Sequence, residues 1–472
     1  MYFINKRIAV VSAAVAGIIA LLTLLKFTVH IYGGEYYIAP TCDMGGGTYE
    51  KCVFCGMEKC LEQESPKGHN GAWIIRKQPT AATSGEQELR CSVCKKQLDL
   101  LKIPAKESPI PSLKLMGSGV GMTDTNAIAA TFVYTDGVSE EGGEGSATSG
   151  GANVRLMQGE LPNTSKHSYV LTNFKLTEGD TLLFGAFGDC SEIHLYSNND
   201  DYTRARRIVA LRQWRDLVVE NYPVYAKFIS VSDDMEYAGY NMLMYIKSTK
   251  QDYSFAGIYT LSVPYSTIAE KNTDAGIKSV IKQTIHSSGE QNLRQIFGND
   301  SESEKYRASL EKLLSQPELV DALSDINVII DYYTFAQLTG NSDAMTELYW
   351  VTADGVKWYP VPADTEHTYG CVNGTSDISD PNYDIKLDTF WNGIFEANRA
   401  RIKKRITELS TGRLSADNIK KEFNVAITKL DEEVYREDAN TYRAKYRAPS
   451  DEVANLVEWY ENRVAFLYSA NQ

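Results

Sequence analysis

One segment of the chain returns a second time in strict register. Pro40-Thr41-Cys42 through Cys52-Val53-Phe54-Cys55 recurs as Pro79-Thr80-Ala81 through Cys91-Ser92-Val93-Cys94, so Thr41/Thr80, Cys52/Cys91 and Cys55/Cys94 share one offset. Two copies in register must fold alike. Each is expected to be a short β-rich unit of turn, strand, Cys-x-x-Cys knuckle and strand, ending in Ser65-Pro66-Lys67-Gly68-His69 or Ile103-Pro104-Ala105. Units of this size cannot hold themselves together by apolar burial alone. Two staples are open to them. Cys52, Cys55, Cys91 and Cys94 could supply four thiolates to one tetrahedral zinc, since a two-residue spacing lets both sulfurs of a knuckle face an ion at about 2.3 Å. Disulfides compete in an oxidising compartment, and Cys42, Cys60 and His69 are further partners in the first copy. The stretch between Cys55 and Cys91 exceeds the usual zinc-ribbon spacing, and both staples stand as alternatives. A redox role for the knuckles lacks the βαβ pattern that would surround it.

Before the repeats, Lys6 and Arg7 precede an apolar run from Ile8 to Leu25 broken only by Ser12 and Thr23, and the first acidic residue is Glu35. That run is just long enough to span a bilayer as a helix. With no small-x-small cleavage pattern before Gly33-Gly34, the run reads as an uncleaved signal anchor, a cleaved signal peptide being the rival. Basic residues on the short side predict a single-pass protein of the cell membrane, with a cytoplasmic N-terminus and the bulk of the chain extracellular. The expected organisation is an anchor over 1–34, a Cys-stapled stalk over 35–109 and a larger domain over 110–472. Formal charge is −13, and no basic stripe interleaves with aromatics, which argues against nucleic acid as a partner. No Gly-x-Ser-x-Gly appears, so a nucleophile-elbow hydrolase has no support either.

From Ile110 onward, strand-like segments at Ile128–Tyr134, Val154–Met157, Tyr169–Phe174, Thr181–Phe184 and Ile258–Val263 give way to helical spacing over Thr203–Glu220, Glu304–Gln316 and the stretches starting at Ser415 and Ser450. This is an α+β pattern with a strand-rich first half and a helical second half. Arg401 to Arg405 read as the solvated face of a helix.

The segment from Asp325 to Gly370 carries the chemistry. Asp325 can cap a helix whose buried face is Ile326, Ile329, Ile330, Tyr333 and Ala336, with Gly340 as its stop. Leu348-Tyr349-Trp350-Val351, Asp354-Gly355 and Val356-Lys357-Trp358-Tyr359 then read as a hairpin with a two-residue turn. If Ala353 pairs with Val356, Glu347 falls opposite Pro362, and the hairpin brings Asp343, Glu347, Asp364 and Glu366 to one mouth. Four carboxylates there repel unless they share cations, and hard oxygen donors suit magnesium or manganese with phosphate. The same repulsion predicts that Asp364→Ala would remove metal-dependent nucleotide binding and leave the fold intact.

Protein kinases have this layout, in which a catalytic Asp precedes a hairpin that leads to a metal-binding Asp. Gly340-Asn341-Ser342-Asp343, the hairpin and Pro362-Ala363-Asp364-Thr365-Glu366-His367-Thr368-Tyr369-Gly370 resemble the spore coat protein H-like (CotH) kinases. Gly257-Ile258-Tyr259-Thr260-Leu261, Lys166-His167-Ser168-Tyr169 and the Arg399–Ser415 stretch extend the likeness over roughly residues 110–470. The Cys copies are similar to small extracytoplasmic Cys-x-x-Cys units that serve as stalks. The resemblance implies an atypical, two-lobed, protein-kinase-like domain that transfers phosphate from ATP, with Mg or Mn, to secreted or cell-surface proteins. In it Asp343 would be the catalytic Asp, Asp364 a metal ligand supported by Glu347 and Glu366, and Lys166 a nucleotide contact. The departures are specific. Glu347 stands where the family has Asn, Ala363 where it has Trp, Glu366 where it has a second Asp and Val263 where it has Glu; Glu160 lies in the glycine turn of Gln158–Pro162. They imply the alternative, a catalytically decayed surface binding or assembly module.

Overall fold

The computed structural model describes residues 2–28, 30–118, 121–138, 147–158, 166–177, 184, 190–229, 238–247, 252–272, 275–372, 375–385 and 387–470. The turn over 159–162 and most of the strand expected at Thr181–Phe184 lie outside them; the Gly/Ser/Glu-rich stretch Ser139–Gly151, a loop by its composition, lies outside them up to residue 146 and is strand from Ala147 onward. The chain divides into two compact units, Met1–Pro79 with Ser84–Pro104, and Thr80–Thr83 with Ala105–Gln472.

The first unit begins with helix α1 (Tyr2–Thr28). Among the described residues no helix is long and apolar enough to cross a membrane, so the spanning segment expected over Ile8–Leu25 is not found. Two antiparallel three-stranded sheets follow, β1 (Tyr32–Ile38), β2 (Gly46–Cys52) and β3 (Glu58–Glu64), then β4 (Gly71–Lys77), β5 (Gly85–Cys91) and β6 (Gln97–Ile103). Their first residues pair off as Tyr32 with Gly71, Gly46 with Gly85 and Glu58 with Gln97, at the same offset as the cysteines. The knuckle turns match as well: Gly56 N–H bonds to Cys52 O at 2.9 Å and Lys95 N–H to Cys91 O at 3.0 Å. Both turns need a left-handed residue, which is Gly56 (φ 74°) in one copy and Lys95 (φ 64°) in the other. β3 and β4 are exposed along their whole length. Little apolar surface is buried there, so what burial exists gathers around sulfur, at Cys42, Cys52 and Cys91.

In the second unit β7 (Ser112–Met116), β8 (Ile128–Thr135), β9 (Ala147–Leu156), β10 (Tyr169–Leu176) and β11 (Glu192–Tyr196) lead to α2 (Arg206–Asn221) and the short α3 (Pro223–Ala226). β12 (Tyr240–Lys247) and β13 (Ser254–Ser262) then close a barrel in the order β10-β11-β13-β12-β7-β8-β9. Its pairs are antiparallel except β7 with β12. Alternation along β7 puts Leu113 and Leu115 inside. Phe132, Tyr134 and Phe174 surround Phe184 with ring centroids 5.2–5.7 Å apart, which fills a barrel too narrow for a channel.

The helical half comprises α4 (Tyr265–Lys271), β14 (Ser279–Ile285), β15 (Gln291–Gly298), α5 (Ser303–Ser315), α6 (Val320–Leu323), α7 (Ile326–Thr339), β16 (Glu347–Thr352), β17 (Tyr359–Pro362), β18 (Cys371–Val372), β19 (Thr375–Ile378), α8 (Thr389–Thr411), α9 (Ala416–Ile427), α10 (Glu432–Thr441) and α11 (Pro449–Ala470). A sheet ordered β15-β14-β16-β17 packs among these helices. The α+β character expected from the sequence is therefore present. One apolar core runs from the barrel through Trp214, Tyr332 and Trp391 to the C-terminal helices. Arg405 also departs from expectation: it grips the buried Asp331 through Nε and Nη2 at 2.6 and 2.9 Å instead of facing solvent.

α7 follows its sequence signals. Asp325 accepts the Asn327 N–H at 2.9 Å as the N-cap, and Gly340 ends the helix at φ 67°. A Cβ at Gly340 would sit 2.3 Å from the Trp459 ring. Gly340→Ala is expected to cost about 2–4 kcal/mol, from left-handed strain plus overpacking, read as a lowered midpoint of thermal unfolding; an unchanged midpoint would contradict the packing described.

Candidate functional site

The backbone joins two loops before any side chain does chemistry. Past Gly340, buried Asn341 accepts the N–H groups of Asp343 and Ala344 at 3.1 and 3.2 Å and donates its Nδ2 to Asp364 O at 2.8 Å. Tyr332 OH donates to Ala344 O at 2.9 Å, and Tyr369 N–H to Thr339 O at 2.7 Å. The turn carrying Asp343 is thereby fixed against the segment carrying Asp364, Glu366 and His367. Tyr369, at φ 52°, holds a conformation that costs a non-glycine residue about 1–2 kcal/mol.

The hairpin between them is slipped by one residue from the expected register. Leu348 pairs with Pro362 and Val351 with Tyr359, because the turn is wider than two residues. Asp354 Oδ1 accepts the N–H groups of Val356 and Lys357 at 2.8 and 2.7 Å, and Thr352 Oγ1 accepts that of Gly355 at 2.8 Å. The slip sets Glu347 one position past the Leu348–Pro362 pair, on the side of Ala363 and Asp364, and its carboxylate pairs with Lys282 of β14.

Asp343, Asp364 and Glu366 do come together, around His367. Its Nδ1 lies 3.4 Å from Asp343 Oδ2 and its Nε2 3.6 Å from Glu366 Oε1. Burial disfavours the charged imidazole, but the carboxylates of Asp343, Glu366 and Asp364 outweigh it and raise His367 to about 9. Burial, then the Asp364 charge, pushes the Glu366 carboxyl up to about 8. Asp364 Oδ1 takes the Arg207 guanidinium at 2.9 Å, and Arg207 stacks on Tyr196 at 3.6 Å. Asp364→Ala would therefore remove one counter-charge from the buried Arg207.

Lys166 is buried away from these carboxylates' open side. Its Nζ donates to Ile258 O at 2.8 Å and pairs with Asp438 of α10 at 2.9 Å. Burial pulls the ammonium down to about 7 against the pull of Asp438. Arg204 Nε reaches the other oxygen of Asp438 at 2.8 Å. Gly257 (φ 120°) makes room for this pair, since a Cβ there would lie 2.1 Å from Asp438 Oδ1.

The two Cys-x-x-Cys pairs belong to separate clusters. Cys52 and Cys55 gather with His30, and Cys91 and Cys94 with Cys42 and His69; within each, the donor atoms all lie within 4.8 Å of one another. The Cys94 N–H leads the groups that draw the Cys91 thiol down, and the Cys55 N–H does the same for Cys52.

Sequence spacing does not single out Arg204, Arg206, Arg207 or Asp438. The signal available was the run Arg204-Ala205-Arg206-Arg207 at the head of a helix whose neighbours are apolar. A donor set of Asp364, Glu366 and the half-exposed Asp343 is oxygen-only, which fits a hard divalent cation.

The family model described as CotH kinase protein matches residues 158–467, well over half of the chain. No curated protein matches it.

Two outcomes follow from the buried charges. His367 has its folded-state value above the ordinary 6.5, so its stabilisation is complete below pH 6.5 and disappears as pH rises through about 9. Urea unfolding of the wild type against His367→Gln should show a stability difference that shrinks over that window; a difference flat with pH would mean a neutral imidazole. Asp438→Asn leaves Lys166 and Arg204 buried without their shared counter-charge and should cost about 3–5 kcal/mol, seen in the same unfolding assay.

Proposed function

Since the chain belongs to the CotH kinase family, we propose that its second unit is a metal-dependent phosphotransferase that moves phosphate from ATP to hydroxyls of secreted or surface proteins. The observation that carries this reading is the convergence of Asp343, Asp364 and Glu366 across the Asn341 splice. Asp364 and Glu366 would hold Mg or Mn, which when bound offsets charge on the phosphates. Asp343, 46% exposed, is the carboxylate left accessible to orient an acceptor hydroxyl and accept its proton. His367 orients Asp343 from behind, and Arg207 keeps one Asp364 oxygen turned inward so that the other is available. Lys166 enters as a positioning residue: with Asp438 it ties β13 to α10.

A second reading has its own observation. Arg207 engages Asp364, Lys282 engages Glu347 and Asp438 engages Lys166, so three side chains that the kinase reading needs already have partners within the chain. This is the arrangement of a binding or assembly module whose nucleotide site has decayed.

Membrane attachment belongs to the proposal as well. The described α1 side chains, among them Val10, Ile18, Ile19 and Leu24, are exposed apolar groups, and burying them offers a gain of about 1.5–3 kcal/mol for each large one. The full chain should remain with membranes through an alkaline carbonate wash, and a chain starting at residue 35 should not.

The deciding measurement is thermal unfolding of the full chain with ATP and either manganese or magnesium, beside Asp364→Asn and Glu366→Gln. Asn at 364 retains an oxygen for Arg207, and Gln at 366 removes a carboxyl that burial penalises, so both variants should fold. A rise that needs the metal and vanishes in both variants supports the enzyme; at a hundredfold excess over Kd it corresponds to about 2.7 kcal/mol. No rise with either metal, from a cooperatively unfolding wild type, favours the decayed module.

A further inference from the structure

The second sulfur cluster draws on both copies of the repeat. Cys91 and Cys94 come from the knuckle of the second copy, His69 from the end of the first copy where the chain enters β4, and Cys42 from the Pro40-Thr41-Cys42 turn of the first. Cys42 Sγ lies 3.8 Å from Cys91 Sγ, and Cys94 Sγ lies 3.4 Å from His69 Nδ1. Tetrahedral zinc, with Zn–S about 2.3 Å and Zn–N about 2.0–2.1 Å, demands S···S edges of about 3.8 Å and S···N edges of about 3.6 Å. A disulfide requires about 2.05 Å. The spacing is that of four donors around an ion.

His69 is aimed for this task. Its Nε2 sits 2.9 Å from Asp43 Oδ1, which Lys96 Nζ also approaches at 3.3 Å. Donation of Nε2–H to Asp43 leaves the Nδ1 lone pair facing the sulfurs, the carboxylate–histidine arrangement that orients metal ligands. Cys42 and Cys91 are buried. The other cluster repeats the scheme one copy earlier, with His30 for His69 and Cys52 and Cys55 for Cys91 and Cys94. The residue that stands to Cys42 as His30 stands to His69 is Phe3, which has no donor, so among the described residues that cluster holds three ligands where the second holds four.

We propose that Cys42, His69, Cys91 and Cys94 form a structural Cys3His zinc site that fastens the first repeat to the second. Three thiolates and an imidazole are a soft set that prefers zinc to the hard cations suited to the carboxylates of the other unit. Thiols still protonated release their protons as the ion binds. The ion joins residues far apart in sequence across a unit with little apolar core, so its binding energy becomes folding energy.

The test uses the full chain, purified reduced after growth with zinc. Metal content is measured by elemental mass spectrometry, and thiol reactivity is mapped by maleimide labelling before and after chelation. Cys42, Cys91 and Cys94 should be protected together and become reactive together on chelation, with exposed Cys60 reactive throughout. Cys42→Ser should lose one equivalent of zinc and unmask Cys91 and Cys94, while Cys60→Ser changes neither. Cys42→His, which keeps a donor, should retain the equivalent and shift the ligand-field bands of the cobalt-substituted protein to higher energy. The proposal is overturned if Cys42→Ser keeps its zinc with Cys91 and Cys94 still protected, or if peptide mapping of the zinc-grown chain finds Cys91 or Cys94 in a disulfide.

Discussion

Buried positive charge at the head of α2 sets the terms for the second unit. Arg204, Arg206 and Arg207 lie within one turn of chain, all buried, and each must find a carboxylate or cost several kcal/mol. Arg204 meets Asp438 on α10 at 2.8 Å. Arg206 takes Asp201 at 2.6 Å and Glu452 of α11 at 2.7 Å, and its Nε donates to Thr368 O at 3.0 Å. Arg207 meets Asp364. Asp201 also accepts the N–H groups of Ala205 and Arg206 at 2.8 Å each, which starts the helix at this point. Barrel, C-terminal helices and acidic segment are thus held to one short stretch of chain. None of these pairs is cheap to break, because both members of each lie largely out of water.

Much of the local structure was legible because it rests on local rules. The Asp325 cap and the Gly340 stop follow from capping rules within a single helix, whereas the expected single buried face of α7 does not hold: every residue from Val328 to Thr339 is buried, so neighbours cover the helix on all sides. The hairpin was legible as a hairpin but not in its register. Asp354 bonds to two backbone N–H groups and widens the turn, and that choice depends on side-chain rotamers that a two-residue turn signature does not encode. The ion pair of Glu347 with Lys282 on β14 is a cross-strand contact that this turn signature does not encode either.

The partners of buried charges were beyond reach for a different reason. Asp438 stands 272 residues from Lys166, and no spacing rule connects them. Lys166 was visible through its motif, yet its burial under Tyr259 and Tyr442 depends on α10 packing against β13. The repeats show the same limit in miniature. The constant offset between the copies told that they match, but it suggested that their knuckles meet each other. In the fold, the second copy's knuckle meets the preceding copy's turn instead.

That displacement gives the repeat a direction. The first copy offers a thiol forward from its Pro-Thr-Cys turn, and the donors around the second copy's Cys-x-x-Cys knuckle receive it. At the position of Cys42 in the second copy stands Ala81, which has nothing to hand on. Such a unit can be multiplied by duplicating a copy with its cysteine intact, and a single cysteine-to-alanine change is enough to mark the last member. The length of the array is then a heritable trait, adjustable without redesigning any copy's own fold.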